Sequence, residues 1–99
     1  MSTDDFSSVI ERAAPGLRAA GLAALYLFGS RARGDAREDS DVDLAFDVDP
    51  QCEKFSLLDQ ASLQLRLEKL LGRPVDFVER DAMRPRMRAR VEGEMVRLL

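Results

Sequence analysis

With 99 residues, the chain has room for one domain spanning 1–99 around one core. Its 45% hydrophobic and 33% charged residues fit a soluble globular protein and argue against disorder. A net charge of −3 argues against direct nucleic-acid binding, no apolar run is long enough to span a bilayer, and the acidic start Met1-Ser2-Thr3-Asp4-Asp5 is unlike a signal peptide.

In chain order, Phe6, Val9, Ile10, Ala13, Ala14, Leu17 and Ala20 fall at helical spacing on one apolar face. Asp4 or Asp5 is expected to cap this helix, Pro15-Gly16 to kink or split it, and Gly21 to end it. Residues 24–28 form a nearly continuous apolar run that predicts a buried strand ending at Gly29. Residues 30–34 allow a helical turn or two, and 35–40 are polar and read as a loop. Residues 41–47 alternate, with Val42, Leu44 and Phe46 on one face and Asp41, Asp43 and Asp47 on the other, which is the period of a half-buried strand. Asp49-Pro50 resembles a helix start. The leucine-rich stretch 55–71 follows; its polar wedge is narrow, so the helix is expected to be covered on more than one side, with Gly72 at its end. Residues 74–78 alternate again, Val75 and Phe77 inward and Asp76 outward. From Met83 onward, Met87, Val91 and Met95 have helical spacing; Gly93 is expected to end that helix and leave residues 95–98 as a short edge strand. The pattern predicts an α/β (α+β) layered fold with one small sheet.

Charge is unevenly spread. Positions 38–53 hold seven acids and no base, whereas residues 80–99 carry six arginines against three acids. The acidic stretch is what a divalent cation site needs, and the basic tail suits phosphates or an acidic partner.

The chemistry concentrates in Leu27-Phe28-Gly29-Ser30-Arg31-Ala32-Arg33-Gly34 and Ser40-Asp41-Val42-Asp43-Leu44. Gly29, lacking a Cβ, lets backbone approach a ligand closely. Ser30 offers a hydroxyl and backbone N–H groups at the start of a helical turn, which favours an anion. Arg31 and Arg33 add permanent positive charge. Asp41 and Asp43, two apart on a strand, send both carboxylates from one face, with Cα atoms roughly 6–7 Å apart. Asp76, on a neighbouring strand about 4.8 Å away, would reach the same place. Three carboxylates so close repel one another unless a cation lies between them, and Mg²⁺ takes such hard oxygen ligands while keeping positions for substrate phosphate.

Gly29-Ser30, ten residues, then Asp41-Val42-Asp43 resembles the signature of the DNA-polymerase-β-like nucleotidyltransferase superfamily. The longer string, with Val75-Asp76-Phe77-Val78, is similar to its minimal members, the MNT proteins, over most of the chain. The resemblance implies a nucleotidyltransferase fold, a small mixed sheet flanked by helices with the site on an open sheet face. It implies two Mg²⁺ ions held by Asp41, Asp43 and Asp76, with Asp76 also the base, and ATP phosphates held by Gly29 and Ser30. It further implies a HEPN-domain toxin as partner, with AMP passed to a toxin tyrosine in the manner of a type VII-like antitoxin. No residues remain for an acceptor-binding domain, so the acceptor must come from another chain or subunit. Two alternatives stand beside this one: a non-catalytic antitoxin that occludes its toxin, and a small-molecule nucleotidyltransferase completed by homodimerisation.

The remaining residues have plainer readings. Asp35, Glu38, Asp39 and Asp47 read as loop and surface charges. Tyr26 reads as core, the Met83, Met87 and Met95 series as core or partner surface, and Arg84, Arg86, Arg88 and Arg90 as a solvated series. Cys52 is the one cysteine, forms no intramolecular disulfide, and suits a reducing cytoplasm.

Overall fold

The computed structural model describes residues 3–37 and 39–99, so Met1, Ser2 and Glu38, the last read as a surface charge, lie outside the described residues. Helix α1 (Thr3–Ala19) begins ahead of Asp4 and Asp5 and runs unbroken through Pro15. The expected split is therefore absent. Pro15 is exposed, while Ile10 and Leu17 on either side of it are buried in one core and hold the two halves in line. The turn after α1 passes through Gly21 at φ 111°.

Strand β1 (Leu22–Phe28) is followed by the short helix α2 (Ser30–Arg33), strand β2 (Val42–Val48), helix α3 (Leu57–Leu71) and strand β3 (Val75–Glu79). A 3₁₀ turn (Arg80–Ala82), helix α4 (Pro85–Glu94) and the two-residue strand β4 (Val96–Arg97) complete the described chain. Helix α4 passes through Gly93 rather than ending before it.

Asp49-Pro50 does not start α3. Asp49 instead accepts the Gln51 N–H at 2.9 Å in a local turn. The helix starts at Leu57, where Ser56 accepts from the Asp59 N–H and Asp59 accepts from the Ser56 N–H. This reciprocal pair satisfies two otherwise orphaned donors, which a lone Asp49 cannot do. Only Leu63, Leu67 and Leu71 of α3 are buried, whereas Leu57, Leu58 and Leu65 are 82%, 80% and 61% exposed. Within the described chain, α3 is thus covered on one side and not on several.

The sheet order is β3-β2-β1-β4. Strand β1 runs antiparallel to β2 and β4, and β2 runs parallel to β3 with α3 as the crossover. A register shift between Leu22 and Ala24 lets these two residues join opposite cores. That explains the nearly unbroken apolar run: β1 is central and buried on both faces.

One sheet face carries Leu25, Leu27, Val42, Leu44, Phe46, Val75 and Phe77 against α1 and α3. The other carries Tyr26, Phe28 and Ala45 against Met83, Val91 and the flanking Met87 and Met95. The fold is a mixed four-stranded sheet flanked by helices, as the family resemblance implies, and the one small sheet is as the pattern predicts. No helix among the described residues is long and apolar enough to cross a membrane.

Candidate active site

Val42 and Leu44 are fully buried in the larger core, so the pleat turns Asp43 to the opposite face. Val75 and Phe77 do the same for Asp76. The parallel register places Asp43 directly beside Asp76, and the antiparallel register places Phe28, the residue before Gly29, beside Asp43. Asp41 stands one residue ahead of β2 and is exposed, as is Asp76, while Asp43 is half-buried. Burial, then the charges of Asp76 and Asp41, push the Asp43 carboxyl above its usual range. That mutual repulsion is the mark of a carboxylate group whose ionised form wants a cation. No set of three His, Cys, Asp or Glu side chains among the described residues is already drawn together as a metal site. The donors nonetheless fit a hard divalent ion, being carboxylates on adjacent strands with open solvent access.

Gly29 forms the corner facing these acids. Its backbone takes φ 74° and ψ −154°, a region open essentially to glycine alone. A Cβ built there would overlap Oδ2 of Asp43. Both the fold of the corner and its approach to Asp43 require the missing side chain. Ser30 follows as the first residue of α2 and is partly exposed.

The two arginines of α2 part ways. Arg31 is buried, donates to the Ser40 carbonyl at 2.6 Å, and lies 5.5 Å from the centre of the Phe6 ring. Expected beside a phosphate, it instead holds the loop that delivers Asp41, because an α2 side chain two positions from Arg33 points to the other side of the turn. Arg33 faces outward, donating to Glu94 Oε2 at 3.0 Å and more weakly to Asp35 Oδ2 at 3.4 Å.

Two groups escape a reading of the sequence. Glu94, the last residue of α4, accepts from the Gly29 N–H at 3.2 Å as well as from Arg33. Arg33, then the Gly29 N–H, hold its carboxyl below the usual range. No local pattern distinguishes Glu94 from Glu92, since its partners lie on α2 and the corner before it. Asp47, read as a surface charge, is instead bound by Arg80 through two hydrogen bonds and by the Tyr26 hydroxyl at 3.0 Å. It shares the face of Asp43 but serves the packing of that face. Burial and then Asp47 push the Tyr26 hydroxyl up, consistent with a core role.

Residues 10–98 match the nucleotidyltransferase domain family. The protein adenylyltransferase MntA of Thermococcus cleftensis is 40% identical over 76 residues, covering 77% of this chain and 74% of that protein. A solved structure of a proposed minimal nucleotidyltransferase superposes with a TM-score of 0.81 at 38% identity, covering 97% of this chain and 95% of the other. One chain of a solved complex between a tri-AMPylated HEPN toxin of Shewanella oneidensis and its MNT antitoxin gives a likeness of fold, with a TM-score of 0.67 at 20% identity over 95% of this chain and 71% of that one.

Proposed function

This chain belongs to the nucleotidyltransferase domain family, and from that premise we propose that it moves AMP from ATP to a tyrosine hydroxyl of a partner HEPN toxin in the cytoplasm, acting as a type VII-like antitoxin. The observation that carries this reading is the registry of Asp43 with Asp76 beside the Gly29 corner. The name of the Thermococcus cleftensis relative and the AMPylated toxin of the Shewanella oneidensis complex support the choice of nucleotide and partner.

In the proposed reaction, the bond between the α-phosphorus of ATP and its bridging oxygen breaks, pyrophosphate leaves, and the tyrosine oxygen takes its place in line. Asp76, exposed at the edge strand, accepts the tyrosine proton. Ser30 and the N–H groups at the start of α2 bind the terminal phosphates, and Arg33 adds directed donors. Arg31 serves indirectly by fixing the loop before Asp41. Asp41, Asp43 and Asp76 would hold Mg²⁺, two ions by family resemblance; the metal, when bound, offsets the carboxylate repulsion and the charge of the triphosphate. The acceptor enters from another chain.

The test incubates the protein with Mg²⁺, labelled ATP and the product of its neighbouring gene. Label on a tyrosine of that neighbour is expected, and none with Asp43→Asn. An unlabelled neighbour across all nucleotides tried would end the enzymatic reading.

The exposed leucines of α3 favour a second reading, in which the domain neutralises its toxin by covering it. Neutralisation that survives Asp41→Asn with Asp43→Asn would select occlusion over transfer.

A further inference from the structure

Helix α2 has only four residues, and its N-cap, Gly29, has no side chain to offer its first N–H groups. So short a helix does not hold its own geometry, because the cost of nucleation is spread over too few hydrogen bonds. Yet Arg33, at its end, is the one arginine of the signature that faces outward to the site. Its orientation must come from elsewhere in the molecule.

Glu94 supplies it from α4. One carboxylate oxygen accepts from the Gly29 N–H at 3.2 Å, just ahead of α2, and the other accepts from Arg33 Nη1 at 3.0 Å, at its last residue. A single side chain thus spans the whole of α2. The Glu94 side chain is only 17% exposed while that of Arg33 is 47% exposed, so the anchor is fixed and the anchored group still opens to solvent. The guanidinium is gripped at Nη1 by Glu94 and at Nε by Asp35, and Nη2 makes no hydrogen bond among the described residues. Two edges of a rigid planar fork are held and the third is presented.

We infer that Glu94 is a positioning residue for nucleotide binding, aiming the free Nη2 edge of Arg33 at the terminal phosphates and bracing the Gly29 backbone against the Asp43 carboxylate. This rests on the nucleotidyltransferase reading above. Because Glu94 and Asp35 already neutralise Arg33, its contribution is a fixed donor direction more than a net charge. Removing Glu94 therefore restores positive charge to the corner but loosens the donor.

The two effects have opposite signs in a binding experiment. The probe is AMP-PNP with Mg²⁺, titrated by calorimetry into wild type, Glu94→Ala, Glu94→Gln, Arg33→Ala and the Arg33→Ala/Glu94→Ala double variant. Glu94→Ala is expected to weaken binding about tenfold, and Glu94→Gln, whose amide oxygen can still accept one of the two bonds, several-fold less. In the Arg33→Ala background, Glu94→Ala is expected to cost clearly less than in wild type, since only the bond to the Gly29 N–H then remains to be lost. The Gly29 amide resonance of the nucleotide-free protein should move in Glu94→Ala and stay nearer its wild-type place in Glu94→Gln. Tighter binding by either Glu94 variant would overturn the inference and mark the carboxylate as an obstacle to phosphate. Unchanged binding, or an equal loss with and without Arg33, would overturn it as well. Those outcomes leave the nucleotidyltransferase reading intact, whereas a wild-type protein that binds no AMP-PNP would overturn both.

Discussion

Arg80 and Asp47 are joined by two parallel hydrogen bonds of 2.9 Å, Nε to Oδ1 and Nη2 to Oδ2. The pair ties the 3₁₀ turn after β3 to β2, and the guanidinium also lies 5.1 Å from the centre of the Tyr26 ring. Asp47→Ala leaves a largely buried guanidinium and a buried phenol without their acceptor. The expected loss is about 1–3 kcal/mol of stability, read from urea unfolding with an unchanged slope.

Gly29→Ala meets two penalties together. The backbone angle is foreign to a residue with a Cβ, and the added methyl enters the space of the Asp43 carboxylate. A stability loss of about 1–3 kcal/mol is expected from the strain, with loss of Mg²⁺-dependent nucleotide binding, measured by thermal unfolding and calorimetry.

Asp43 separates stability from chemistry. Its carboxyl titrates above the usual range in the folded protein, so its protonated form favours folding. That contribution is present below the unfolded value and is lost as pH rises through the folded value. Near pH 7 the ionised group opposes folding, and Asp43→Asn is expected to raise the melting temperature of metal-free protein while abolishing transfer. The gain should vanish at acid pH. Mg²⁺ should stabilise wild type, by about 2.7 kcal/mol at a hundredfold excess over Kd, and leave Asp43→Asn unmoved.

The start of α3 gives the opposite pH sign. The Ser56 N–H and hydroxyl hold the Asp59 carboxyl below its ordinary value of 3.8. A depressed carboxyl stabilises the fold above its unfolded value and loses that contribution as pH falls through the folded one. Ser56→Ala is expected to cost about 1 kcal/mol near neutrality, with a smaller difference from wild type at strongly acid pH, followed by circular dichroism.

Leu58→Ser with Leu65→Ser probes the exposed side of α3. Both side chains are mostly in water, so stability should change by no more than about 0.5 kcal/mol. If that face docks the toxin, co-purification with the toxin should be lost.

The facing of Asp43 and Asp76 was legible because period-two alternation fixes which face a strand residue takes once its neighbours are apolar. Val42, Leu44, Val75 and Phe77 told where Asp43 and Asp76 must point. The alternation could not separate Asp43 from Asp47, which share a face; the approach of Arg80 from beyond β3, together with the Tyr26 hydroxyl, makes Asp47 a packing residue. Arg31 and Arg33 looked alike for the same reason, since a pattern of charge does not reveal which side chain will fold under Phe6. The start of α3 was misplaced because Asp49-Pro50 has the composition of a cap, whereas Ser56 and Asp59 have the reciprocal geometry of one. Pro15 broke nothing because core contacts on both sides of it outweigh one lost backbone bond.

The hydrogen bond between Gly29 and Glu94 joins positions 65 apart. A chain leaving the ribosome exposes the corner and all three aspartates before Glu94 has been synthesised. Completion of that corner is a late event in the life of each molecule, set by the docking of α4 and not by nearby sequence. After proteolytic nicking in the turn before α4, β1, β2 and β3 stay in covalent order, and the hold of Glu94 on Arg33 rests on the noncovalent docking of α4 and β4 alone.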